Sequence, residues 1–285
     1  MKTARSYPRK LWIIFIHSLF LLCFFLISAD LQGQRLSREQ IKDTINDMPA
    51  FSLHEDNYFI SGVPLNKDIT RQTADVKYKV NFRYLLSRNK FPWDSYLFLT
   101  YTQKAFWDIY DQSKPFQEIN FKPGLNLGLP VFDKKDELLG MAFLKFEHES
   151  NGRDSIYSRS WNKIALAFHA DLGKRHTLSG EVWWPFRYKK DNPDLPDYVG
   201  LGEVNYSFEI KPELWSFEIM AQKGLNWDLK GALRTRILYS PFEMKSINFM
   251  AEWYYGYAES LIAFKELRSM VRIGFLMKSN DLNFL

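Results

Sequence analysis

His148 and Ser150 stand two residues apart in the run Glu147-His148-Glu149-Ser150-Asn151-Gly152-Arg153, and Asn162 follows twelve residues after the serine. Residues i and i+2 of a strand point to the same face. An extended backbone would therefore set the imidazole beside the hydroxyl with no help from a distant loop. A base next to a serine, with a third group orienting the base, turns a weak alcohol into a nucleophile for acyl transfer. A lone His-x-Ser pair is most often a surface pair. The chemistry depends on whether the surrounding elements bring all three side chains together.

Those elements alternate with a period of two. Val76, Tyr78, Val80, Phe82 and Tyr84 share one face, and Asp75, Lys77, Lys79, Asn81 and Arg83 share the other. Such alternation predicts a strand. It recurs over Phe121–Leu129, Val204–Ile210, Trp215–Gln222, Leu233–Tyr239, Ile247–Tyr255 and Val271–Met277. Tyr96–Lys104, Leu139–Ser150, Asn162–Asp171 and Leu178–Phe186 complete about eleven strands, and Asn57–Gly62 is a candidate first strand that makes the count even. Turn signals such as Asp191-Asn192-Pro193 and Lys211-Pro212 separate them.

A soluble sandwich also has one apolar face. Here, however, the polar face carries Lys, Arg and Glu on nearly every strand, which suits a hydrated barrel interior. Aromatic residues are 17% of the chain and crowd strand ends (Trp183, Trp184, Phe186; Trp253, Tyr254, Tyr255), as girdles do at membrane interfaces. The fold class expected is all-β, a transmembrane antiparallel β-barrel of about twelve strands over residues 56–285.

The start of the chain agrees. Lys2, Arg5, Arg9 and Lys10 precede an apolar run from Leu11 to Ser28, and Ala29 offers a small residue for cleavage. This is a signal-peptide pattern over 1–29, with an uncleaved anchor as the alternative. Residues 30–55 read as an N-terminal arm, because Gln34–Glu55 shows no period. Without the first 34 residues the chain holds 34 basic and 32 acidic residues, so the basic character comes from the leader and points to no nucleic-acid partner. The one cysteine, Cys23, lies in the leader, so no disulfide holds the mature fold.

Placed on this pattern, His148 and Ser150 continue the parity of Leu144 and Phe146. Asn162 shares that of Ile164, Leu166 and Phe168. All three would face lipid on neighbouring strands. A polar cluster on a lipid face is costly, and a lipid substrate gives it a reason. Among the other histidines, His169 faces the lumen, and His54 and His176 show no partner and receive no role.

These residues carry a resemblance. His148-x-Ser150-Asn151-Gly152-Arg153, Ser158-Arg159-Ser160-Trp161-Asn162, Tyr101-Thr102-Gln103-Lys104, Pro115-Phe116, Asn192-Pro193-Asp194 and Gly256-Tyr257-Ala258-Glu259-Ser260-Leu261-Ile262 resemble, in order, the bacterial outer-membrane phospholipase A family. The resemblance implies a twelve-stranded barrel in the outer membrane of a Gram-negative bacterium. It implies hydrolysis of glycerophospholipid acyl esters with Ser150 as nucleophile, His148 as base and then acid, and Asn162 fixing the imidazole tautomer. It also implies an oxyanion donor at Gly152 and a calcium ion held by the Arg153 carbonyl, the Ser158 hydroxyl and a carbonyl assigned to Ser113 of a second copy. A second calcium site in some members uses two aspartates. One matches Asp191, whereas the other falls at Ser155, with Asp154 beside it. Gln103 matches a residue that hydrogen-bonds across a homodimer, the active form. Two other functions fit a barrel: a passive pore or structural barrel, and a lipopolysaccharide deacylase, which lacks the Asn partner and this spacing.

Overall fold

Alternation becomes a closed sheet in the computed structural model, which describes residues 36–242 and 246–278. The leader expected over 1–29, with Cys23, lies outside the described residues. A short strand β1 (Phe51–Ser52) precedes twelve long ones: β2 (Asn57–Pro64), β3 (Asp75–Phe91), β4 (Ser95–Trp107), β5 (Phe116–Phe132), β6 (Leu138–Ser150), β7 (Ser160–Leu172), β8 (His176–Phe186), β9 (Gly202–Lys211), β10 (Trp215–Lys223), β11 (Gly231–Tyr239), β12 (Ile247–Gly256) and β13 (Arg268–Met277). From β2 onward each strand pairs antiparallel with the next, β13 pairs back onto β2 with Met277 opposite Asn57, and β1 pairs with β3. The barrel has no free edge, so every ladder group can be satisfied within the sheet. The strands expected from the sequence are all present, with β3 and β5 longer than the alternation indicated.

The faces divide as their parity requires. Leu144, Phe146, Ile164, Leu166, Val182 and Ile273 are exposed on the outside. Inside, charge is paired. Arg272 holds Asp75 at 2.7 Å and Glu259 at 2.6 Å, Lys77 holds Glu252 at 2.7 Å, and Lys163 holds Glu147 at 3.0 Å. Adjacent aromatics split between the faces. Trp184 is 71% exposed, but Trp183 and Tyr254 are buried, so only alternate members of each aromatic run belong to an outer girdle.

Connections at one end are tight turns, at 92–94, 133–137, 173–175 and 212–214. At the other end they are long, at 65–74, 108–115, 151–159, 187–201, 224–230 and 257–267. Short inner turns and long outer loops are usual for such barrels. The candidate site lies at the long-loop end.

The segment expected to be an arm is partly a plug. Helix α1 (Arg38–Asp47) starts at a capping box, with Ser37 accepting from the Gln40 N–H and the Gln40 side chain accepting from the Ser37 N–H. It has no long apolar stripe, which hides it from periodicity. Ile41 and Ile45 nevertheless vanish among Leu85, Tyr96, Phe98, Leu138 and Met141 at the turn end of the lumen. Arg38 pairs with Asp94 and Asp136, and Lys42 pairs with Asp94. At the opposite end the 257–267 connection folds inward, with the Glu118 carboxylate accepting the Ile262 N–H and Lys104 donating to the Glu259 carbonyl. A polar chamber of about 1530 Å³ lies between.

Two tests follow from this arrangement. Joint replacement of Ile41 and Ile45 by Asp buries charge among apolar neighbours. It should release α1 and give a larger single-channel conductance in planar bilayers than the parent. Glu259 supplies the second. Burial alone would raise its carboxyl, but Arg272 and Lys77 more than reverse this and hold it at about 2 against an ordinary 4.5. A depressed acid stabilises the fold above its unfolded value and loses that contribution as pH falls through the folded value. Resistance to urea should therefore drop between pH 4.5 and 2, and Glu259→Gln should lessen that drop.

Candidate active site

The β6–β7 hairpin positions the three residues singled out in the sequence. In its register His148 lies directly opposite Asn162, and Ser150 opposite Ser160. Directly opposed side chains on one face are close enough to touch. The His148 Nδ1 lies 3.0 Å from the Asn162 Oδ1. An amide oxygen only accepts, so Nδ1 is the donor, and in the neutral ring this leaves the lone pair on Nε2. The flanking residues of β6 turn the other way. Glu147 is buried in the lumen beside Lys163, and Glu149 accepts the Trp161 indole N–H at 3.0 Å. His148, Ser150 and Asn162 are thus on the outer face, as parity predicted. Among the described residues no hydrogen bond joins Ser150 to the imidazole. Such bonds often close only when substrate is bound.

The loop at 151–159 is built around Asn151, which is 4% exposed. Its Oδ1 accepts the Arg153 N–H at 3.3 Å and the Arg159 N–H at 3.0 Å, while its Nδ2 donates to the Tyr157 carbonyl at 2.9 Å. Gly152 follows with φ +64°, and a Cβ there would meet the Phe121 ring at 3.1 Å. Left-handed backbone and a close aromatic both favour glycine. Among the described residues the Gly152 N–H donates to no protein acceptor. Asn151 and Phe121 were not given roles from sequence; the Asn-Gly pair was the available signal.

Arg153 donates through its guanidinium to the Phe116 and Gln117 carbonyls at the start of β5. The Ser158 hydroxyl donates to the Asp191 Oδ2 at 3.2 Å and the Ser160 hydroxyl to the same oxygen at 2.9 Å. The neighbouring Asn192 accepts the Ser160 N–H at 3.1 Å. Asp191 therefore joins Ser158 directly. Asp154 and Ser155 are exposed and make no side-chain bond to it among the described residues. The Ser158 hydroxyl and the Asp191 carboxylate, joined at 3.2 Å, are hard oxygen groups of the kind calcium takes. Among the described residues no group of three or more His, Cys, Asp and Glu could hold a metal. Ser113 is exposed in the 108–115 connection, and among the described residues no hydrogen bond ties it to Ser158 or Arg153.

Gln103 lies on the outer face of β4, opposite Val80 on β3 and Phe121 on β5; Phe121 in turn opposes Ser150 on β6. One row across the ladder thus joins Gln103 to Ser150, two strand spacings apart, or about 10 Å. The Gln103 amide accepts from the Tyr101 hydroxyl at 3.1 Å and donates to the Tyr78 hydroxyl at 3.5 Å. Of the histidines given no partner from sequence, His176 has one: its Nδ1 lies 2.6 Å from the Tyr206 hydroxyl, and it stacks on Phe208.

Comparison with known proteins follows this geometry. The family model for phospholipase A1 matches residues 42–277. A putative phospholipase A1 of Neisseria meningitidis is 29% identical over 75% of this chain, which spans 56% of that relative. The phospholipase A1 of Klebsiella pneumoniae is 28% identical, over 80% of this chain and 82% of its own. That of Escherichia coli K12 is 29% identical, over 73% and 70%. The outer membrane phospholipase A structure from Escherichia coli aligns with a TM-score of 0.71 at 24% identity, covering 81% of this chain and 93% of that one. The dimer from Salmonella typhi with bound calcium aligns with a TM-score of 0.73 at 23% identity, covering 84% and 96%. At these identities the structures establish the fold.

If Asn162 holds the imidazole in place, Asn162→Ala should lower kcat for ester hydrolysis about 5- to 150-fold, the equivalent of one lost hydrogen bond of about 1–3 kcal/mol. The folded-barrel migration of the unheated protein on a gel should stay unchanged.

Proposed function

The chain belongs to the phospholipase A1 family, and on that premise we propose that it is a calcium-dependent outer-membrane enzyme that hydrolyses glycerophospholipid acyl esters and works as a homodimer. The carrying observation is the 3.0 Å contact between His148 and Asn162 on the lipid-facing side of the β6–β7 hairpin. A base oriented there, beside Ser150, meets acyl chains rather than the polar lumen.

The steps use this chain's own groups. The Ser150 Oγ attacks the ester carbonyl and gives its proton to the His148 Nε2. Asn162 keeps the ring oriented while the imidazolium exists. The Gly152 N–H is free to donate to the developing oxyanion. Collapse of the tetrahedral intermediate expels the lysophospholipid oxygen, which takes the proton from Nε2. Water, deprotonated by His148, then releases the fatty acid from Ser150.

Calcium, when bound by the Arg153 carbonyl, the Ser158 hydroxyl and the Ser113 carbonyl of a second copy, supplies positive charge beside the oxyanion. The Asp191 carboxylate is close enough to Ser158 to add negative charge to the same ion or to a second one. The row from Gln103 to Ser150 supports dimerisation as the activating step. A partner docked on the outer face of β4 would border the reacting serine and could cover one side of an acyl chain.

The test is fatty-acid release from phospholipid–detergent micelles by the purified barrel. Activity should require calcium, fall on chelation and return when calcium is restored. Ser150→Ala should lose at least about 10³-fold in kcat while keeping the folded migration. Full activity in that variant would refute the assignment. Ion conductance without hydrolysis would favour the pore, and acyl release from lipopolysaccharide alone would favour the deacylase.

A further inference from the structure

We propose that Asn151 is a positioning residue that ties the oxyanion donor and the calcium ligands into one unit; this rests on the reading of the chain as a calcium-dependent esterase. Asn151 touches neither Ser150's hydroxyl nor any candidate metal ligand's side chain. It acts through the backbone that carries them.

Three groups with different tasks lie on the 151–159 loop: the Gly152 N–H, the Arg153 carbonyl and the Ser158 hydroxyl. A surface loop of this kind has little apolar burial to hold it, and Gly152, Arg153, Asp154, Ser155, Ile156 and Tyr157 are all exposed. What defines it is one buried carboxamide. The two N–H groups that Asn151 Oδ1 accepts belong to Arg153 and Arg159, near the two ends of the loop. Nδ2 holds the Tyr157 carbonyl, the last residue of the 3-10 turn Ser155–Tyr157, just before Ser158. The Asn151 N–H also donates to the Arg159 carbonyl at 3.0 Å, closing the loop neck.

Only a carboxamide of this length can accept twice and donate once from one spot. Aspartate keeps the acceptors but sets a carboxylate oxygen against the Tyr157 carbonyl, and alanine keeps nothing. Each bond lands beside a working group: the Arg153 N–H is in the peptide unit between the Gly152 N–H and the Arg153 carbonyl, and the Tyr157 carbonyl and Arg159 N–H are in the two units that flank the Ser158 side chain. The loop end is held from outside as well, because Asp191 and Asn192 grip Ser158 and Ser160. Asn151 is the internal brace that relates that end to Gly152.

The experiment separates positioning from mere folding. Calcium binding is measured by calorimetry on detergent-solubilised barrel in a Ser150→Ala background, where nothing is hydrolysed. With Ser150 present, kcat and KM are measured on a soluble short-chain ester at saturating calcium. Asn151→Ala should weaken calcium binding about 10–100-fold, as loss of a group orienting metal ligands does. It should also lower kcat about tenfold or more with KM little changed, the pattern of an interaction made in the transition state. Asn151→Asp should recover part of kcat through the retained acceptor. Calcium affinity and kcat within about twofold of the parent in folded Asn151→Ala overturn the proposal. If that variant does not fold, Asn151→Asp decides: parental constants in it overturn the proposal, and a kcat deficit at saturating calcium supports it. Failure of the parent itself to bind calcium or hydrolyse ester overturns the premise and the proposal together, and is distinguishable for that reason.

Discussion

Every feature of this molecule follows from the requirement that a backbone crossing lipid satisfy its own hydrogen bonds. Twelve strands close through the β13–β2 pairing, leaving no edge for lipid to meet. Closure then fixes the parity of every side chain. Apolar residues face outward to lipid, and charge must go inside, where it is affordable only as pairs. Arg272 with Asp75 and Glu259, and Lys77 with Glu252, are the result. A buried pair adds little by itself. Here the alternative is not an apolar core but a wider, wetter lumen, and the pairs knit distant strands across it.

The same closure makes the candidate site stand out. Once the outside is apolar, three polar side chains on it lack the solvation that the lumen provides. His148 and Asn162 partly satisfy each other, being opposed in register. The ladder register sets that pair, while the 151–159 loop, which holds the proposed oxyanion and calcium groups, lies beyond the sheet. The proposed site thus has two parts with different mechanical origins, and the loop part lies where the sheet has ended at Ser150.

The strand content was legible because alternation is a local property. Asp75–Tyr84 and Ile247–Tyr255 state their two faces residue by residue, and the parity of His148, Ser150 and Asn162 follows from the same count. Helix α1 was not legible. Its two buried residues, Ile41 and Ile45, are spaced as one helical face, but the surface they meet belongs to the distant strands β3, β4 and β6. Likewise, the aromatic runs around Trp183 and Tyr254 read as girdles by composition, whereas alternation sends those two inward. The bond between Ser158 and Asp191 depends on how the connections at 151–159 and 187–201 fold onto each other, which no local pattern encodes.

The choice of an amide at position 162 follows from the placement. A carboxylate there would stabilise the imidazolium more strongly, but it would have to stay ionised on the lipid side with no cation opposite it. The strand resolves this by sorting its charges. Glu147 and Glu149, on either side of His148, point into the lumen, where Lys163 and the Trp161 indole receive them. The three side chains on the outer face, His148, Ser150 and Asn162, include no carboxylate. In the proposed reaction, charge develops at His148 and at the oxyanion only transiently and with opposite signs, so no carboxylate at position 162 is required to sit ionised against lipid.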